Sequence, residues 1–171
     1  MNLFILRHAE AEEKGPAWAA KEEERPLTRS GAKKFRAAVT GMDAMGLSFD
    51  VVLSSPFTRA RQTAEIVMRV LKIARRIVYT SHLEPEQAPA KVIEEIRHAH
   101  MDHENVLLVG HEPYLTNLVS LLVSGADGLR LEFKKGGLCK VEIGERLEPG
   151  RCGTLKWLLT QRQLILLANE K

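Results

Sequence analysis

The sequence predicts a three-layer α/β fold: an αβα sandwich around a mainly parallel sheet that carries an antiparallel edge strand. Three observations lead there. Strand-like and helix-like periods alternate over most of the chain, and three apolar strand runs stop abruptly in polar loops. The tail beyond Gly125 then switches to strand patterns joined by Gly-containing turns. At 171 residues the chain can bury a sizeable core, and with no repeat or linker visible it reads as a single domain over 1–171.

The elements follow in order. Asn2-Leu3-Phe4-Ile5-Leu6 is an unbroken apolar run, as a buried central strand requires, and it delivers Arg7 and His8 into a loop. Residues 9–26 are Glu-rich with Gly15-Pro16 in the middle and no steady period; they read as a surface loop in which Trp18 is an anchor or a substrate-facing flap residue. Thr28 is an N-cap, followed by the helical stripe Ala32, Phe35, Val39 and Met42 and a stop at Gly46. A strand over 50–53 precedes a helix with Ser55 as cap and Pro56 at its first position, burying Ala60, Ala64, Val67 and Leu71. A short strand over 76–79, a helix over 90–101 and a strand over 105–109 come next. The helix opening at Pro113 turns Leu115, Leu118, Val119 and Leu122 inward. Strands are expected over 129–133, 138–143 and 154–160, the first two joined by the charged turn Lys134-Lys135-Gly136-Gly137.

Composition narrows the class. A hydrophobic content of 44% with 27% charged residues argues against global disorder. The net charge of +3 comes without a basic block, which argues against a nucleic-acid partner. Cys139 and Cys152 have neither CxxC spacing nor company enough for a disulfide framework, so a reduced compartment is expected. No apolar run approaches the ~18 residues of a membrane span, and the first one is too short for a signal-peptide core. A soluble, cytoplasmic protein without membrane attachment is the expectation. His98, His100 and His103 with Asp102 lack i, i+4 spacing near a helix end and are not read as a metal site.

The chemistry lies at the strand ends. His8 and Arg7 leave the first strand, Arg59 sits in the first turn after the second, and His111 follows the strand over 105–109. In an α/β sheet such positions share one rim, where ligands bind. Phosphoryl transfer needs an in-line nucleophile and cations around the equatorial oxygens. A neutral imidazole suits the first task and guanidinium the second. Arg61 reads as a helix-surface ion-pairing residue, and Glu10 and Glu12 as solvated rim residues.

Arg7-His8-Ala9, the run Ser54-Ser55-Pro56-Phe57-Thr58-Arg59-Ala60-Arg61-Gln62-Thr63-Ala64, and Gly110-His111-Glu112-Pro113 together resemble the histidine phosphatase superfamily, with its phosphoglycerate-mutase-like fold. The short chain and Arg25-Pro26-Leu27-Thr28 resemble its small SixA branch, the phosphohistidine phosphatases. The resemblance implies that His8 is the phosphorylated nucleophile, that Arg7 and Arg59 bind phosphate, and that His111 is the second histidine of the phosphate pocket. Two guanidiniums and two imidazoles can offset a phosphate dianion, and no carboxylate cluster that would hold Mg²⁺ stands among the motifs, so no metal and no cofactor are expected. Ala9 stands where many members have Gly, so this loop has to form without a left-handed residue there. Glu84 and Glu86 lie roughly where larger members place a proton donor, but Leu83-Glu84-Pro85-Glu86 does not match that motif, and the acid is unassigned. Imidazole is a far better leaving group than alkoxide, so a site without a dedicated acid is less handicapped on phosphohistidine. The expected activity is therefore a metal-independent phosphatase acting on a phosphohistidine-bearing protein. The competing readings are a small-molecule phosphomonoesterase on the same site and a non-catalytic phospho-ligand module. Lacking large insertions, the pocket is expected to be shallow and open on one side. The oligomeric state and the substrate's identity are not legible.

Overall fold

The computed structural model describes residues 1–168. Six strands form one sheet in the order β3-β2-β4-β1-β5-β6. They are β1 (Asn2–Arg7), β2 (Val51–Ser54), β3 (Ile77–Tyr79), β4 (Asn105–Gly110), β5 (Leu138–Ile143) and β6 (Gly153–Leu159). The first four are mutually parallel, while β5 runs antiparallel to both β1 and β6. Helices α1 (Arg29–Ala44), α2 (Thr58–Val70), α3 (Pro89–Ala99), α4 (Tyr114–Ser124) and α5 (Gln161–Ala168) cover it.

The period of two along the strands builds the layers. Leu3 and Ile5 of β1, with Val106 and Leu108 of β4, pack toward Val92, Ile93 and Ile96 of α3 and toward Leu115 and Leu118 of α4. Phe4, Leu6, Leu107 and Val109 face the other way, onto Phe35, Val39 and Met42 of α1, Ala60, Ala64 and Val67 of α2, and Leu164 of α5. Both faces are covered, as a sheet with a parallel core requires. The Thr28 cap forms as expected, its hydroxyl accepting from the Gly31 amide at 2.8 Å.

Three expectations need correction. Residues 129–133 are not a strand, despite the alternation of Leu129, Leu131 and Phe133. Their backbone has other partners: the Leu129 amide donates to Ser120 Oγ, and the Phe133 carbonyl accepts from Arg7. The second helix begins at Thr58 with Phe57 at the N-cap position, later than Ser55-Pro56 implied. The tail strand ends at Leu159 because a fifth helix follows. Thr160 and Gln163 cap that helix reciprocally, with the Thr160 amide donating to Gln163 Oε1 at 2.8 Å and the Gln163 amide to Thr160 Oγ1 at 3.3 Å. That Thr-x-x-Gln spacing was the available signal. Gly41 lets α5 lie against α1, since a Cβ there would fall 1.8 Å from the Leu164 carbonyl oxygen.

Candidate active site

The parallel strands β1, β2 and β4 end on one rim, and the predicted residues come with them. Arg7, His8, Arg59 and His111 all line one pocket of about 930 Å³. The two imidazoles face each other with ring centroids 5.2 Å apart. His8 and His111 are almost fully buried, as is Arg59.

Hydrogen bonds decide what each imidazole can do. His8 Nδ1 lies 2.7 Å from the Ala9 carbonyl oxygen. A carbonyl only accepts, so Nδ1 carries the proton and Nε2 is left with its lone pair free. Nε2 makes no hydrogen bond and is not sealed in the interior; it opens on the pocket. Burial holds the His8 pKa down to about 3, with Arg59, Arg7 and Arg25 adding to the effect, so the ring is neutral near pH 7. Burial likewise drives His111 far below its ordinary value, reinforced by His8 and the same arginines. His111 Nε2 sits 2.8 Å from Ser55 Oγ, and the Phe57 ring packs beside it at 5.2 Å. Ser55 is thus occupied with positioning a pocket residue and does not begin the helix.

The loop after β1 is tied down without a left-handed residue. The Ala9 amide donates to Thr63 Oγ1 at 3.0 Å, and that hydroxyl donates to the Arg59 carbonyl at 2.6 Å. The His8 amide bonds the Gly110 carbonyl. Arg7 is held by Nη1 donating to the Phe133 carbonyl at 2.7 Å, so the segment misread as a strand orients a pocket guanidinium.

Two pocket residues were not among the site residues expected from the sequence: Glu22, and Arg25, which figured there only as the first residue of the Arg25-Pro26-Leu27-Thr28 run. Arg25 is buried and grips the Glu22 carboxylate through Nη2 and Nε at 2.7 and 3.0 Å. Glu22 also meets Arg59: its carbonyl accepts from Nη1 at 2.8 Å, and Oε1 lies 3.3 Å from Nη2. The hydrogen bond from Arg25 holds the Glu22 carboxyl below its usual range. Burial in turn lowers the Arg59 guanidinium to about 10, still charged at neutral pH. The segment 9–26 supplies a wall of the pocket, whose volume is near the upper end for small-molecule sites.

Glu84 and Glu86 line the pocket, as do Glu10 and Glu12. Trp18 is half-buried and does not line it. Arg61 stacks on the Tyr79 ring at 5.5 Å where an ion pair was expected. His100 and His103 stack with centroids 5.7 Å apart, and His98 bonds the Glu94 carbonyl. Among the described residues no cluster of three or more His, Cys, Asp or Glu side chains has metal-binding geometry. No described helix is long and apolar enough to cross a membrane.

Known proteins resemble this chain in sequence and in fold. The family model of the histidine phosphatase superfamily (branch 1) matches residues 3–84, a span holding Arg7, His8 and Arg59. The phosphohistidine phosphatase SixA of Escherichia coli (strain K12) is 29% identical over 131 residues, 73% of this chain and 76% of SixA. The structure of the protein histidine phosphatase SixA complexed with tungstate superposes with a TM-score of 0.83 at 27% identity, covering 96% of this chain and 99% of that one. The α-ribazole phosphatase of Shigella flexneri shares the fold, with a TM-score of 0.69 at 18% identity and coverage of 94% and 97%.

Proposed function

This chain belongs to the histidine phosphatase superfamily, and from that premise we propose that it dephosphorylates phosphohistidine on a protein through a phospho-His8 intermediate. The observation that carries the mechanism is the His8 tautomer. With Nδ1–H committed to the Ala9 carbonyl, Nε2 presents a lone pair to a pocket lined by two guanidiniums and a second imidazole. The guanidiniums of Arg7 and Arg59 and the His111 imidazole line the same pocket, and charged or polar N–H donors of that kind suit the oxygens of a phosphoryl group.

The sequence of steps then balances. His8 Nε2 attacks phosphorus, the substrate's P–N bond breaks, and the departing imidazole takes a proton from water. The hydroxide left by that water attacks phospho-His8, releasing HPO4²⁻ and restoring the neutral ring. Arg7, Arg59 and His111 stabilise the charge on the equatorial oxygens. The residues suffice without a metal or other cofactor. The free Cys139 and Cys152 support a reduced, cytoplasmic setting.

A small-molecule phosphomonoesterase is the second reading, favoured by one observation. Glu84 and Glu86 line the same pocket, where a carboxylic acid could protonate an alkoxide leaving group. Leaving-group preference separates the two. With EDTA present, kcat/KM for a phosphohistidine-bearing protein should exceed that for phosphoserine and sugar phosphates by at least ~100-fold, about 2.7 kcal/mol of transition-state preference. A metabolite hydrolysed as efficiently would replace the reading, and loss of activity on chelation, restored by a divalent ion, would remove its metal-independent mechanism.

A further inference from the structure

Beside the phosphoryl pocket lies a second cavity of about 600 Å³, and the two share Arg7, Glu10 and Lys135. Its lining is basic. Lys34 of α1, Lys134 and Lys135 of the turn before β5, and Arg162 of α5 surround it, with Ile165 and Leu166 at the α5 edge. Glu10 is the acid of this lining and lies 3.8 Å from Lys34. Lys134 meets Glu132 at 3.3 Å in a largely exposed pair, which solvent screens. Lys135 and Arg162 have no carboxylate within ion-pair distance among the described residues.

The arrangement is built into the fold. The Gly136 amide donates to the carbonyls of both Arg7 and His8, at 3.2 and 3.1 Å. Gly136 has a left-handed φ of 69°, and a Cβ there would fall 2.2 Å from Gln161 Oε1 at the start of α5. The lysine turn is therefore clamped between the end of β1 and α5, which fixes its lysines beside Arg7. Leu166 is 55% exposed on the same shelf.

Resting on the phosphoprotein reading above, we propose that this shelf docks an acidic segment of the substrate protein flanking its phosphorylated residue. Charge complementarity sets the occupant and its direction. A chain presenting a phosphoryl group to His8 must cross the rim on one side or another. Glu12, Glu13, Glu84 and Glu86 line the pocket elsewhere and repel an acidic flank. The lysine shelf attracts it, while Leu166 offers an apolar contact at the far edge.

The test uses two synthetic phosphohistidine peptides that differ only in the flanking residues, Asp and Glu in one, Asn and Gln in the other. The same two backbones are also made with phosphoserine, so that docking is read apart from leaving-group chemistry. For whichever phosphoamino acid is turned over, the acidic peptide should show about 10-fold higher kcat/KM than its neutral twin, through KM and shrinking as salt is added. In the double variant Lys134→Glu with Arg162→Glu the ratio should fall to one or invert, and in the charge-neutral pair Lys134→Gln with Arg162→Gln it should fall part way. Equal turnover of the twins by the wild type, or a ratio that survives charge reversal, overturns the shelf. Hydrolysis confined to phosphoserine peptides would instead overturn the phosphohistidine reading and leave the ratio to judge docking.

Discussion

The floor of the pocket and its rim are made by different kinds of residue. On the floor, His8, Arg59 and His111 are buried, sit at the ends of strands or in the first turn after one, and carry hydrogen bonds that fix their orientation. Around the rim stand exposed or half-exposed charges from segment 9–26, from residues 84–87 and from the lysine turn. Dielectric separates the two. A charge on the floor acts through little solvent and cannot be replaced by a neighbour, whereas a rim charge is screened and shares its work. Floor substitutions should therefore change chemistry by orders of magnitude, and rim substitutions should change which substrate is preferred by small factors.

His8→Ala is the strongest way to break that division. Removing Nε2 removes the atom proposed to take the phosphoryl group, so on that proposal turnover should fall by at least ~10⁴-fold while inorganic phosphate still binds through Arg7 and Arg59. Acid-labile, alkali-stable label on the wild type after a rapid quench, absent from the variant, checks the same point. Substantial activity in the variant would mean that the floor works without a covalent step.

Arg59→Ala comes next, at about 10²–10³-fold in kcat/KM, the usual loss for one preorganised donor to a developing oxyanion. Arg59 also holds Glu22, so its loss should loosen segment 9–26, read as faster proteolysis near Glu22. A ten-fold effect or less would place Arg59 with the rim.

The same contrast explains what the sequence could and could not disclose. Arg7, His8 and His111 were legible because a buried strand has only one way to hand residues to the sheet's rim. Arg59 was legible from its place just after β2. Glu22 was not, and Arg25 was legible as part of a family-like run but not as a pocket residue, because both meet the pocket from a stretch with no period, where the fold of the loop alone decides position. Ser55 looked like a helix cap, and only the approach of β4 shows that His111 takes its hydroxyl. Residues 129–133 carry a true alternation, yet the sheet edge beyond β5 is filled by β6, and Arg7 claims the Phe133 carbonyl. The cap of α5 was in the sequence as Thr160 and Gln163 but was absorbed into the preceding strand pattern.

Buried neutral histidines make the floor acid-sensitive. His8 is depressed to about 3, and His111 is depressed as well, against an unfolded value near 6.5. Between those limits the unfolded chain binds more protons, so stability rises with pH and is lost as pH falls from about 6.5. The wild type should lose ~5 °C more in Tm between pH 7 and pH 5 than a variant with His8→Asn and His111→Asn. Parallel losses would mean that carboxylates, and not these rings, set the acid limb.

The smallest effect belongs to Glu22, and it tests where floor and rim meet. Its carboxylate lies between Arg25 and Arg59, offsetting charge that a phosphate would otherwise find uncompensated. Glu22→Gln keeps an oxygen able to accept from Arg25 and leaves the backbone carbonyl bonded to Arg59, so the turn should persist. What changes is the local field. Inorganic phosphate should then inhibit at about 3-fold lower concentration and KM should fall by a similar factor, with kcat little altered. The factor stays small because the Glu22 side chain is 35% exposed and solvent screens it. A rise in KM would reverse the reading: Glu22 would then be holding Arg59 in place for the phosphoryl group, and the floor would extend one residue further into segment 9–26.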